Sequence, residues 1–167
     1  MRCPTCGKDM TCKKVDHKYL ESGLDNVILV GVDLCQCICG EKIYSVPAVN
    51  ELHGLLAFSL LKKRSLLNGK EIRFLRKNAG LTALRLGEIM GVHNSTISRW
   101  ENGKQPIEEA RDRLLRLIFM NIKGISPEQI RSLIEEDFDK ISPEIGFTPP
   151  YMIPLDKWSK RSFCLSE

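Results

Sequence analysis

The chain has 167 residues, of which 43% are hydrophobic and 28% are charged, and this composition excludes a wholly disordered protein. No apolar run approaches the roughly 18 residues of a membrane span, and the first residues lack the apolar region of a secretion signal. We therefore expect a cytoplasmic protein with one ordinary domain or two small ones.

The net charge of +4 is distributed unevenly along the chain. Residues 1–68 carry 9 basic and 7 acidic side chains, residues 69–124 carry 11 and 6, and residues 125–167 carry 5 and 8. The positive excess in the middle segment favours a partner whose phosphates are contacted by lysine and arginine. A solvated helical surface would show the same bias, so this interpretation needs a motif to support it.

Six of the seven cysteines lie between residues 3 and 39, and only Cys164 is remote. A reducing cytoplasm disfavours structural disulfides, so clustered cysteines in that compartment indicate metal ligands or redox thiols. We expect Cys164, which has no neighbour of its kind in the sequence, to be a free thiol.

Short strands and turns are predicted for residues 1–47. The stretch 26–32 is apolar and rich in β-branched residues, and the turn signal Asp25-Asn26 comes just before it. Weaker strand candidates are residues 15–20 and 43–46.

Apolar residues recur at helical spacing through most of the remaining chain. Residues 49–67 predict a helix that connects the strand-rich start to the rest. A later helix begins at Ser126, where a capping box is followed by Pro127 in the first turn. Several prolines beyond Ser142 predict an extended tail over the surface. The four helices predicted between these two are residues 70–78, 82–90, 94–101 and 106–122.

Residues 80–103 carry the pattern of two helices joined by a tight turn. Thr82 can cap the first of them, and Gly91 supplies the positive φ angle that the turn requires. Val92 fills the corner between the helices. The side chains predicted to face inward are Leu86, Ile89, Met90, Ile97 and Trp100.

The outward face of the second helix is polar, with short hydrogen-bonding side chains and one guanidinium. Groups of this kind can enter a major groove and contact base edges and adjacent phosphates. These outward residues are Asn94, Ser95, Thr96, Ser98 and Arg99. The candidates for positioning the protein on phosphates are Thr82, Arg85 and Lys104.

This stretch resembles the Cro/C1 (Xre-type) helix-turn-helix family. The likeness is clearest in the ending Ser98-Arg99-Trp100-Glu101-Asn102-Gly103-Lys104 and extends over about residues 70–117. The resemblance implies that Arg76 pairs with Glu101 inside the domain, as a structural ion pair.

The cysteines form two groups with the spacing of a zinc site. Cys3-Pro4-Thr5-Cys6-Gly7 places two thiols around a tight turn, and Cys35-Gln36-Cys37-Ile38-Cys39-Gly40 again ends in Cys-Gly. We predict a structural Zn²⁺ held by Cys3, Cys6, Cys37 and Cys39. Cys35 could replace Cys37 in that set, and Cys12 and His17 are reserve ligands.

The order of these modules is similar to that of the YgiT/MqsA family, a zinc-finger and helix-turn-helix group that includes antitoxins of type II toxin–antitoxin systems. The likeness covers roughly residues 1–120 and includes the stretch Gly23-Leu24-Asp25-Asn26-Val27. It implies a structural zinc, a homodimer and, in the antitoxins, an N-terminal module that binds a toxin.

The predicted fold class is α+β: a small β-rich zinc-binding module joined by a helix to an all-α, five-helix domain of the Xre type. The zinc-binding module, connecting helix, helix-turn-helix domain and C-terminal extension are residues 1–47, 48–68, 69–124 and 125–167.

The predicted function is sequence-specific binding of double-stranded operator DNA by a cytoplasmic repressor, with an autoregulating antitoxin as a special case. A regulator without a toxin partner is the nearest alternative. A redox protein that uses Cys3 and Cys6 is the enzymatic alternative, although a redox CxxC normally opens a helix. His17, His53 and His93 are scattered, so we predict no catalytic site.

Overall fold

The computed structural model describes residues 1–143 and 149–159, which form a four-stranded sheet and six helices. The strands are β1 (Thr11–Lys18), β2 (Val27–Gln36), β3 (Lys42–Ser45) and β4 (Tyr151–Pro154). The helices are α1 (Val49–Leu61), α2 (Gly69–Asn78), α3 (Ala83–Met90), α4 (Asn94–Glu101), α5 (Glu109–Ile122) and α6 (Pro127–Glu136). The α+β class predicted from the sequence is confirmed.

Strand β2 is the centre of the sheet. It pairs antiparallel with β1 along one edge and with β3 over the end of the other edge. Its apolar, β-branched sequence suits this position, because Val27, Leu29 and Val32 are fully buried while their neighbours are partly exposed. The sheet therefore has a face that packs on the helices.

Strand β4 corrects the prediction of a surface tail. It pairs parallel with the start of β2, with Val27 opposite Tyr151. Trp158 is fully buried after it, and its indole N–H donates to the carbonyl of Pro47 at 2.9 Å. The tail prolines favour extended backbone, and Pro154 is tolerated because β4 lies at a sheet edge. Cys164 lies outside the described residues.

A single apolar cluster joins the sheet to the helices. It runs from Tyr19 in the N-terminal segment, through Leu56 of α1 and Leu75 of α2, to Trp158. A smaller cluster contains the buried cysteines of the N-terminal segment. Within the described ranges, no helix is both long and apolar enough to cross a membrane.

Helix α1 ends earlier than predicted, at Leu61 rather than at residue 67. The guanidinium of Arg116 in α5 is fully buried and donates to the carbonyls of Leu60, Leu61, Lys63 and Ser65 at 2.7–3.2 Å. These bonds satisfy the carbonyl of Leu61 at the helix end and those of the turn that follows it.

Asn68 is the N-cap of helix α2. Its side chain accepts hydrogen bonds from the backbone N–H groups of Lys70 and Glu71, and the Glu71 carboxylate accepts from the Asn68 backbone at 2.8 Å. This capping box fixes the point at which the helical domain starts. The capping box predicted at Ser126 is confirmed at the start of α6.

Candidate metal centre and nucleic-acid interface

Two tight turns bring four thiols together at one end of the sheet. In the first turn, the N–H of Gly7 donates to the carbonyl of Cys3 at 2.9 Å, with Gly7 at a φ of 72°. In the second, the N–H of Gly40 donates to the carbonyl of Cys37 at 3.0 Å, with Gly40 at a φ of 95°. Both glycines occupy the left-handed region, which side chains disfavour.

The cluster comprises the four cysteines predicted as ligands. The Sγ atoms of Cys3, Cys6, Cys37 and Cys39 all lie within 4.8 Å of one another. Cys3 and Cys39 approach to 3.6 Å, and Cys6 and Cys37 to 3.4 Å. Zn–S bonds of about 2.3 Å in a tetrahedron place sulfurs about 3.8 Å apart, so the thiols have the spacing that such an ion needs.

The local environment shifts the pKa values of Cys3 and Cys6 in opposite directions. Burial would raise the pKa of Cys3, but hydrogen bonds from the Cys6 backbone and from the Cys39 thiol outweigh it and lower that pKa to about 7. A backbone hydrogen bond from Lys8 favours the Cys6 thiolate, yet the neighbouring thiols, with Cys37 foremost, raise its pKa to about 12. A bound dication would displace the protons that the thiols carry in its absence, because the metal binds thiolates.

The other two cysteines of the segment lie outside the cluster, and one expectation about them was wrong. Cys12 and Cys35 face each other across β1 and β2 and form a disulfide, although we expected none in this segment. Cys35 is therefore not in the cluster in place of Cys37. His17, the other reserve ligand, stacks on Tyr44 with ring centroids 3.9 Å apart.

The stretch predicted as a helix-turn-helix contains α3, a turn at Gly91 and α4. The Thr82 hydroxyl accepts from the backbone N–H of Arg85 at 3.1 Å and so caps α3, as predicted. Gly91 has a φ of 66°, and the N–H of Val92 donates to the carbonyl of Gly87 at 2.9 Å. Local capping and one left-handed glycine thus set the angle between the two helices.

One inward assignment in α3 was wrong. Leu86 and Met90 are buried, but Ile89 is 40% exposed. At 100° per residue, Ile89 lies about 100° around the helix from the side that Leu86, Gly87 and Met90 share. Ile97 and Trp100 of α4 are buried as predicted.

Helix α4 is held against α2 by charge as well as by apolar contact. Arg76 donates to Glu101 at 2.9 Å and to the carbonyl of Leu81 at 2.8 Å, so the ion pair implied by the Xre resemblance is confirmed. The hydrogen bond with Glu101 raises the pKa of Arg76. A Cβ on Gly69 would lie 2.5 Å from the carbonyl oxygen of Trp100, so only glycine allows this approach.

Gly87, inside helix α3, provides a test of the close approach between this helix and the turn that follows it. A Cβ at Gly87 would lie 2.7 Å from the carbonyl oxygen of Val92, a backbone atom that cannot rotate away. We expect Gly87→Ala to lower the free energy of unfolding by about 1–3 kcal/mol, measured by urea denaturation. The matched control is Gly54→Ala in α1, where a Cβ meets nothing within 4 Å and where we expect a gain of up to about 1 kcal/mol. Equal stability of Gly87→Ala and the parent would contradict the close approach.

The predicted contact residues lie at the surface of α3, α4 and the adjoining turns. Those that the structure leaves exposed are Thr82, Arg85, Asn94, Ser95, Ser98, Arg99 and Lys104, and Thr96 is partly exposed. Arg85 pairs with Glu88 at 2.9 Å, so that cation is engaged within the chain.

Sequence reasoning missed His93, the residue just before α4. Its Nδ1 accepts from the backbone N–H of Ser95 and lies 2.9 Å from the Ser95 hydroxyl, so His93 caps α4. Histidine is an unusual N-cap, which is why the pattern gave no signal. The side chain of Asn102 lies at the other end and donates to the Ser98 hydroxyl at 3.2 Å.

Comparison with known families places these features in context. A family model described as the antitoxin component of a bacterial toxin–antitoxin system, MqsA, matches residues 1–122. The match includes both the four-cysteine cluster and helices α3 and α4, and it ends before α6. No curated protein matches the chain.

Proposed function

This chain belongs to the MqsA family of antitoxin components, and on that premise we propose that it is a DNA-binding repressor of its own operon. Zn²⁺ is its structural cofactor, a toxin is its protein partner and the cytoplasm is its compartment. The reducing conditions there would convert the Cys12–Cys35 disulfide to two thiols. We propose no enzymatic activity.

The exposed polar face of α4 carries the proposal for DNA. Asn94, Ser95, Ser98 and Arg99 are exposed on a helix whose other side is anchored by Ile97 and Trp100. A helix presented in this way can enter a major groove, with its N-terminal end toward the DNA backbone. Thr82, Arg85 and Lys104 are the proposed phosphate contacts, and Thr96 completes the proposed reading set.

The four-cysteine cluster supports a structural role for zinc. Cys3, Cys6, Cys37 and Cys39 would hold the ion as four thiolates, and a site filled by four protein ligands has no open position for a substrate. The ion would cross-link the two cysteine-containing turns. The redox alternative would use Cys3 and Cys6 as a pair of redox thiols. Both are free thiols of the four-cysteine cluster, and the disulfide joins Cys12 and Cys35 instead.

Dimer formation and toxin binding are parts of the proposal that come from the family. A homodimer would read a palindromic operator with half-sites separated by about one helical turn, roughly 34–36 Å. Co-purification with the product of the neighbouring gene would test the toxin, and separation of dimer from monomer by light scattering would test the assembly.

Arg99 gives the direct test of DNA binding. A guanidinium in bidentate contact with a base contributes to affinity, so we expect Arg99→Ala to weaken operator binding about five- to 150-fold. Fluorescence anisotropy with a labelled operator fragment, selected from random DNA by the parent protein, measures the change. Lys13→Ala, which changes an exposed lysine on β1, is the control and should leave the affinity unchanged. Unaltered binding by Arg99→Ala would remove Arg99 from the reading set, and failure to select any DNA would overturn the repressor proposal.

A further inference from the structure

An open cleft of about 630 Å³ lies between the loop that joins β1 to β2 and helix α2. Ser22, Gly23 and Asp25 of the loop line one side of it. Asn102 and Gly103, which follow α4, also line it, and we call it the α2 cleft. No cysteine is among the described residues of its lining, so the metal cluster does not account for it.

Three basic side chains of α2 line the cleft as one row. Lys70, Arg73 and Lys77 are separated by three and four residues, a spacing that places them on one face of a helix. All three are exposed, so a ligand can reach them from solvent. The opposite side of α2 is buried through Ile72 and Leu75, which fixes the row toward the cleft.

Glu101 lines the cleft as well, but its charge is already paired. The Glu101 side chain is only 7% exposed and accepts from Arg76 at 2.9 Å. Its pair with Arg73 is long, at 3.9 Å, and Arg73 is 54% exposed. The Arg73 guanidinium is therefore available to an anion that enters the cleft.

Asp25 is the other carboxylate of the lining, and it comes from the loop. It forms an ion pair with Lys70, and both side chains are more than half exposed. An exposed pair of this kind is weak, because water screens both charges. An incoming anion can therefore replace Asp25 at Lys70, and Asp25 repels that anion as it approaches.

The α2 cleft is continuous with the proposed DNA-binding surface. Asn102 and Gly103 belong to its lining, and the next residue, Lys104, is a proposed phosphate contact. The Asn102 side chain donates to the carbonyl of Ser98 at 2.8 Å, which ties this part of the cleft to α4. A DNA strand that passes the C-terminal end of α4 therefore reaches the cations of α2.

The charge of the lining favours a phosphate that is already held nearby. Three basic and two acidic side chains give it a net charge of +1. Salt screens so small an excess, so a free anion in solution has little reason to stay. A phosphate of DNA that α4 has bound is instead present at a high effective concentration, and its pairing with lysine or arginine releases counterions.

We infer that the α2 cleft binds phosphates of the DNA backbone and that Asp25 opposes this binding. Lys70, Arg73 and Lys77 contact the phosphates, and Asp25 lowers the affinity by competing for Lys70. The loop between β1 and β2 thereby adjusts DNA affinity without contacting a base. The inference rests on the proposed function, since the phosphates belong to the DNA that α4 reads.

The salt dependence of DNA binding tests the row of cations. Fluorescence anisotropy of the zinc-loaded protein is measured between about 50 and 200 mM KCl, with the selected operator fragment and with a random fragment. Each lost phosphate contact should reduce the slope of log association constant against log salt by about 0.9. We expect Arg73→Ala and Lys77→Ala each to show this loss and to bind both fragments about three- to tenfold more weakly. Arg99→Ala should affect the operator fragment only.

Asp25→Asn should change the affinity in the opposite direction. It frees Lys70 and removes the repulsion, so we expect both fragments to bind about two- to fivefold more tightly. The matched control is Asp33→Asn, which changes the net charge equally but removes a carboxylate that pairs with Lys14 at 2.9 Å. Asp33 does not line the cleft, and its variant should bind both fragments as the parent does.

The outcomes separate this inference from the repressor proposal. If Arg99→Ala weakens operator binding while Lys77→Ala keeps the parent's affinity and slope, the inference is wrong and the repressor proposal stands. The same holds if Asp25→Asn binds no more tightly than Asp33→Asn. Should Arg73→Ala disturb folding through Glu101, as shown by circular dichroism, Lys77→Ala decides the point. A parent protein that selects no DNA at all contradicts both.

Discussion

Cys37→Ser is expected to reduce the bound zinc from about one ion per chain to nearly none. Cys37 is buried in the cluster, and its thiol lies 3.4 Å from the thiol of Cys6. Among the described residues, no other cysteine and no histidine, His17 included, belongs to this group of ligand atoms. Metal analysis after dialysis against a mild chelator measures the loss, and circular dichroism should show disorder in the segment before α1.

The control for this experiment is Cys12→Ser. Cys12 lies on β1 and forms the disulfide with Cys35, outside the cluster. This variant should keep about one zinc per chain. Retention of zinc by Cys37→Ser would show that the four thiols are not the ligands, and loss of zinc in both variants would show that the metal depends on the sheet as a whole.

Arg116→Met is expected to lower the free energy of unfolding by about 3–5 kcal/mol. Arg116 and Asp112 are both fully buried and lie 2.7 Å apart. Without the guanidinium, the carboxylate of Asp112 would keep only the hydrogen bond from the backbone N–H of Leu67. The end of α1 would also lose the donor for four carbonyls. Denaturation in urea, followed by circular dichroism, measures the change.

Two further variants test whether the cost arises from the buried charge. Arg113→Met removes a partly exposed arginine of the same helix, which pairs with Glu109 at 3.4 Å, and should cost less than about 1 kcal/mol. The double variant Asp112→Leu with Arg116→Met removes both charges and should be more stable than Arg116→Met alone. If the double variant loses as much free energy of unfolding as Asp112→Leu and Arg116→Met lose when measured separately and added, the cost arises from the lost hydrogen bonds to the carbonyls.

Helices α3 and α4 and the turn between them could be predicted from sequence because their signals are local. Thr82, Gly91 and the polar face from Asn94 to Arg99 lie within eighteen consecutive residues. The predicted bounds of α4 match the observed ones. The cysteine pairs were equally informative, since the four thiols chosen as ligands are the four that the fold brings together.

The features that sequence reasoning missed depend on distant residues. The end of α1 is fixed by Arg116, more than fifty positions later. The Cys12–Cys35 disulfide follows from the register of two strands, which composition does not reveal. The exposure of Ile89 depends on which side of a short helix the core covers. Whether the four predicted segments are separate domains stays a prediction.

The pairing of β2 with β4 has a consequence during synthesis. Cys3 and Cys39 are 36 residues apart in the sequence, so a metal centre can form before the rest of the chain has emerged from the ribosome. The side chain of Asn26, just before β2, donates to Pro149, which is 123 residues later. Until β4 emerges, the start of β2 is an open edge that can pair with another chain. A nascent or truncated chain therefore carries an aggregation risk that the finished protein does not.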